Sequence, residues 1–191
     1  MNDESIRRAN KLDFLILLPI VALAFYLAFI PHQSYPYSVH VDEWVHLAHS
    51  KAMLQAGSTT YIDPFFGEST IGPTSAFSQM GPHLYTGYYL FWGVFQQISG
   101  LSWLTIFKYF PAIIFVITVL SAYILGRREG FGLEAALFTC LIPTTVGILG
   151  PGFMVPVAFG LLFIPLALFL VLNFRTIWSY LALFLLTCFL L

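Results

Sequence analysis

Long apolar runs separated by short polar breaks set the pattern of this chain. Phe14 to Ile30, Leu104 to Leu125, Leu133 to Leu149, Met154 to Leu172 and Ile177 to Leu191 each read as a helix suited to a bilayer core of about 30 Å. Pro31 and Pro36 are expected to end the first span, with Tyr35 and Tyr37 in the aromatic belt of the interface. The polar stretch from His32 to Pro82 is too long for a turn, and loops of that length are functional or disordered. Trp44, Tyr61, Phe65, Phe66 and Phe77, set among Gly and Pro turns, argue against disorder. Within it Val41 to Ala56 reads as a surface helix stopped by Gly57, followed by turns at Asp63-Pro64 and Gly72-Pro73. Leu84 to Ile98, with Tyr85, Tyr88, Tyr89, Trp92, Gln96 and Gln97, is short for a span and reads as a helix along the interface.

Charge decides how these elements alternate. Arg7, Arg8 and Lys11 place the N-terminus in the cytoplasm by the positive-inside rule. If Leu84 to Ile98 lies on the outer interface, Arg127, Arg128 and Arg175 also fall inside, and the outer loop keeps four carboxylates against Lys51 alone. The expected fold is therefore an all-α polytopic membrane bundle over residues 1–191, with five spans and juxtamembrane helices in the first outer loop. Six spans is the alternative if Leu84 to Ile98 crosses. The composition agrees: 59% of the residues are hydrophobic and 9% charged, against about a quarter charged in an ordinary soluble domain. The eight Lys and Arg are dispersed, which excludes a nucleic-acid surface. The first apolar run outlasts a signal-peptide core and ends in Pro31-His32-Gln33, with no small-residue cleavage site. Cys140 and Cys188 both fall in apolar runs and read as buried small hydrophobes.

The ionisable groups gather in "HVDEWVHLAHS", His40 to Ser50. At about 100° per residue Asp42, His46 and His49 share one helical face, and Trp44, Val45, Ala48 and Ala52 form an apolar side that presses toward lipid or protein. Asp42 then faces a cavity, with the histidines in its wet surroundings. A carboxylate so placed can take a proton from an acceptor hydroxyl or hold a metal that polarises a leaving phosphate. Asp42-Glu43 can equally do no more than cap the helix and complement its dipole. Asp42, His46 and His49 also form an alternative metal set, but without the His-Glu-x-x-His spacing and with three ligands at most. Lys108 lies about one turn inside an apolar helix, either snorkelling or serving as a point charge for a phosphate.

Taken in order, the Asp-Glu helix, "PHLYTGYYLF" and "KYFPAIIFVITVLSAYILGRREGFG" resemble the N-terminal part of the GT-C superfamily of polytopic glycosyltransferases. The nearest groups are the protein O-mannosyltransferase and aminoarabinose-transferase types. The resemblance implies transfer of a sugar from a polyprenyl-phosphate donor to an acceptor on the outer face. It implies Asp42 as the catalytic carboxylate, Glu43 as its support, and Lys108 and His83 beside the donor phosphate. His83 follows Pro82 instead of preceding a Pro pair, and Lys108 stands where these enzymes carry Arg. The family plan is about twice as long, so the chain is expected to be an N-terminal module, with a second chain as a candidate to complete the enzyme. No motif requires a cofactor, and a divalent metal stays open. A non-catalytic or transporter-like membrane subunit and a metal-binding membrane protein are the competing readings. Against a transporter, Pro143 and Pro165 interrupt spans with no acid beside them.

Overall fold

The computed structural model describes residues 11–35, 37–59, 61, 63–65, 85–141, 153–173 and 176–190. Those residues form seven helices and no strand: α1 (Lys11–Gln33), α2 (Val41–Ala56), α3 (Thr86–Ser99), α4 (Trp103–Arg128), α5 (Gly132–Leu141), α6 (Pro156–Leu172) and α7 (Ile177–Leu190). The expected all-α class holds. Two helices, α1 and α4, are long and apolar enough to cross a membrane, with mean hydropathies of 2.6 and 2.1 over the most apolar 18 residues of Asp13–Gln33 and Trp103–Arg128. The remaining expected spans are shorter. α6 has 17 residues, about 25 Å at the helical rise, and α7 has 14. The expected 133–149 helix is described only to Leu141, and residues 142–149 lie outside the described set. So do Arg7, Arg8, Arg175, Pro36, Glu68, Phe66, Phe77 and Pro143.

The α1 boundary corrects the expectation that Pro31 ends the first apolar helix. α1 runs through both Pro19 and Pro31 to Gln33. A proline inside a helix removes one N–H, and apolar helices tolerate this where neighbours supply the lost contacts. The extra turn carries His32 into the interior, where it is fully buried.

α4 is the central element. α1 and α5 pack on it along one apolar seam, and α6 packs on it elsewhere. The seam brings Ala24 and Ala28, four residues apart on α1, against Ala112 and Phe115 of α4; all four are fully buried. Small residues at that spacing let two helix backbones approach closely, the packing device used where water supplies no drive. Leu17, Ile20, Val119, Tyr123, Ala136 and Cys140 continue the seam. Cys140 is a free, buried thiol. A second cluster joins α2, α3, the first half of α4 and the start of α6 around Trp92, Tyr89, Phe107 and Met154.

The α4–α5 corner is built by glycines. Gly130 takes a left-handed φ of 92°. Its N–H donates to Arg127 O, and that of Phe131 donates to Gly126 O, the paired bonds that close a helix C-terminus. A Cβ on Gly126 would lie 2.7 Å from Ala135 Cβ and 3.1 Å from Phe131 O, so only glycine fits this crossing. Arg128, one residue before the corner, donates to Leu172 O and caps the end of α6.

Gly126→Ala is expected to destabilise the protein by about 1–3 kcal/mol through overpacking. Gly160→Ala, where a new Cβ meets nothing within 4 Å, should be neutral or stabilising. Thermal unfolding of the two variants in detergent checks this, and equal midpoints would overturn the close-packed corner.

Candidate functional site

The site is built at the start of α2, where the backbone changes from extended to helical. His40 is the N-cap, with φ −100° and ψ 145°. Its Nδ1 accepts the Asp42 N–H at 3.2 Å, and its carbonyl accepts the Glu43 N–H at 3.1 Å. Glu43 reaches back over the cap. Its Oε2 accepts from Val39 N at 2.9 Å and His40 N at 3.2 Å. Its Oε1 accepts from Met154 N at 2.8 Å, a contact spanning 111 residues of sequence. His32 Nε2 stands 3.8 Å from the same oxygen, and both side chains are fully buried.

The two adjacent carboxylates therefore have opposite surroundings. Glu43 is 0% exposed and spends both oxygens on backbone donors. The Asp42 side chain is 54% exposed, with Oδ2 3.6 Å from His40 Nδ1. That nitrogen cannot serve both contacts with one protonation state. It accepts the Asp42 N–H when bare and can pair with the Asp42 carboxylate only when it carries a proton.

The rest of α2 reverses the expected orientation of its faces. His46 and His49 are not in wet surroundings: they are buried with Glu43, Leu47, Ser50 and Met53 against α3. Trp44 is the more exposed side, at 41%, and its indole N–H donates to Ser38 O at 2.9 Å. His46 lies among Tyr85, Tyr88 and Tyr89, with Nδ1 3.2 Å from the Tyr89 hydroxyl. His49 stacks on the Tyr89 ring at 5.3 Å and holds the Tyr61 hydroxyl at 2.9 Å.

Burial disfavours the charged form of both rings. It lowers His46 to about 4, with Asp42 opposing by a smaller amount and His49 adding a still smaller lowering. It also lowers His49, with Asp63 opposing. Burial and then Asp63 push the Tyr61 hydroxyl up to about 12. With Tyr61 protonated and His49 neutral, the tautomer of His49 sets which of the two atoms donates in this bond.

These contacts do not assemble the alternative metal set. Among the described residues no three His, Cys, Asp or Glu converge on one point. His46 and His49 each turn Nδ1 to a tyrosine, and Asp42 stays at the surface. Lys108 is half-buried on α4, with Nζ 5.8 Å from the centroid of the Tyr109 ring. Among the described residues it forms no ion pair, and none joins it to Asp42 or Glu43. His83 lies outside the described residues. Sequence alone assigns His32, His40, Tyr61 and Tyr89 no separate role at the site. The only advance signal for them was the abundance of His and Tyr flanking Asp-Glu. Comparison with protein-family models, curated proteins and solved structures finds no match.

Glu43→Gln replaces one acceptor oxygen by an NH2 that faces a backbone donor, at an expected cost of about 2–4 kcal/mol. Asp42→Asn at the surface should stay within about 0.5 kcal/mol of the parent. Denaturant unfolding in mild detergent separates the two, and equal losses would refute the division of roles.

Acid should loosen the α2–α3 contact. The unfolded chain binds a proton at His46 near pH 6.5, and the folded chain binds it near 4. Stability is therefore complete above about pH 6.5 and falls as pH drops toward 4. The full loss from His46 is on the order of 3 kcal/mol. Melting curves from pH 7 to 4 should show that slope, and His46→Gln should flatten it.

Proposed function

We propose that the chain is a GT-C-like polytopic membrane glycosyltransferase, or its N-terminal module, acting on the outer face. Its donor would be a polyprenyl-phosphate sugar. The observation that supports this reading is the separation of the two carboxylates: Glu43 anchors the cap internally, and Asp42 is left exposed on a fixed helical turn. Asp42 would accept the proton of an acceptor hydroxyl as that oxygen bonds to the sugar's anomeric carbon. The bond from that carbon to the phosphate oxygen breaks, and the lipid phosphate leaves with the electron pair. Lys108 would neutralise the leaving phosphate as a point charge; His83 enters this scheme through the family resemblance alone.

Supporting the membrane placement are the two long apolar helices and the aliphatic exposure of the shorter α6 and α7. In this topology α1, α4, the segment 133–149 that begins with α5, α6 and the segment 177–191 that holds α7 cross, α3 lies on the outer interface, and Asp42 sits just beyond the outer end of α1. The order of Asp42-Glu43, Tyr85, Lys108 with Pro111-Ala112, and Gly126-Arg127-Arg128 supports the family assignment.

Asp42→Asn should reduce transfer of radiolabelled sugar from polyprenyl-phosphate donors by at least about 100-fold, the scale of general-base catalysis. Membrane expression should be unchanged. The assay is run in membranes with the complete enzyme, and near-parental transfer would overturn Asp42 as the catalytic base.

A further inference from the structure

α3 contains no charged residue. One of its faces, Tyr88, Tyr89, Trp92 and Gly93, is buried. On the other side Leu90, Val94 and Ile98, spaced by four, are 49%, 42% and 82% exposed. A helix face turned to water normally carries polar or charged groups; an aliphatic stripe of this kind is suited to lipid.

Where this stripe meets the end of α2 there is a cleft of about 240 Å³. Leu90 and Val94 form one wall, and Met53 and Leu54 of α2 form the other. Gly93 lies between them and leaves the space open, since a Cβ there would only reach ordinary contact with Leu54 at 3.8 Å. The left-handed turn at Gly57 (φ 62°) ends α2, and Gly57, Ser58 and Thr59 line the cleft beside it. Gln97 and Ser58 stand among the lining residues, which include no charged side chain. Such a lining gains by covering apolar surface and offers a charged group no partner.

We propose that this cleft takes up a single hydrocarbon chain of a bilayer lipid, entering across the exposed Leu90–Val94–Ile98 stripe. The proposal rests on the placement of α3 along the interface and is independent of sugar transfer. Tyr89, which also lines the cleft, carries the stack on His49 and the hydrogen bond to His46. A chain in the cleft would thus touch the residue that joins α2 to α3.

The test uses the purified full chain in phosphatidylcholine nanodiscs whose lipid bears a diazirine on one acyl chain. Met53, only 4% exposed, is out of reach of the lipid surrounding the protein, so a light-induced adduct on Met53 reports entry into the cleft. The adduct is expected in the parent and in Gly93→Ala. It should be lost in Gly93→Leu, which fills the space, while adducts on exposed Leu18 of α1 persist. Absence of a Met53 adduct in the parent, or its survival in a folded Gly93→Leu, would overturn the proposal. Where Gly93→Leu does not fold, a water-soluble diazirine on the parent decides: labelling of Met53 equal to that by the lipid probe means an aqueous cleft. Unlabelled polyprenyl phosphate added in excess identifies the source of the chain. Persistence of the adduct is expected for a membrane acyl chain, and its loss would overturn that occupant in favour of an isoprenoid tail. The transfer assay with Asp42→Asn is read separately, so either idea can fail alone.

Discussion

Three backbone N–H groups converge on the Glu43 carboxylate, and the end of the molecule that carries the candidate site depends on that meeting. Each partner needs the other. A carboxylate buried beside Phe153 and Met154 would cost several kcal/mol without donors. The peptide groups of Val39, His40 and Met154 sit in non-helical chain just before α2 and α6, where no helical carbonyl serves them. One side chain satisfies both segments, and with His32 at 3.8 Å it gathers the end of α1, the start of α2 and the start of α6 into one junction. An apolar side chain could fill the space but could not hold the two entry segments in register.

The histidine–tyrosine seam follows from this anchor. With Glu43 turned inward, helical periodicity turns His46, Leu47, Ser50 and Met53 inward as well. The inward face therefore carries polar atoms and must meet partners that bury ring surface while supplying a hydroxyl. Tyr89 and Tyr61 do so, each to one histidine. Aromatic contacts around His46 and His49 then serve as core packing, and the neutral form of both rings is the form that this packing requires.

The sequence carried the local information well and the long-range information poorly. The bounds of α2 were readable because Asp-Glu begins it and Gly57 ends it, and the apolar runs marked α1, α4 and α6. What periodicity could not supply was depth. Hydropathy counts histidine as polar, so the His46–His49 face was assigned to water; its partners lie 43 and 12 residues away. Glu43 was similarly opaque, because its decisive partner is Met154 N, a backbone atom that no side-chain pattern announces. Pro31 misled for a different reason. Its usual effect is to stop a helix, and here α1 gains a further turn that ends with His32 and Gln33.

Two carboxylates in succession invite treatment as one chemical unit, yet neighbouring residues on a helix point about 100° apart. The inward turn of Glu43 leaves Asp42 at the surface. Here the inward member is held by three donors, and the outward member is attached to the same rigid turn, with its own N–H tied to His40. A reactive group gains from such a mount, since catalysis needs it held near one geometry while its charge stays available. The anchor and the exposed acid are therefore a mechanical pair more than an electrostatic one. Glu43 fixes where the turn stands, and the Asp42 side chain on that turn remains 54% exposed.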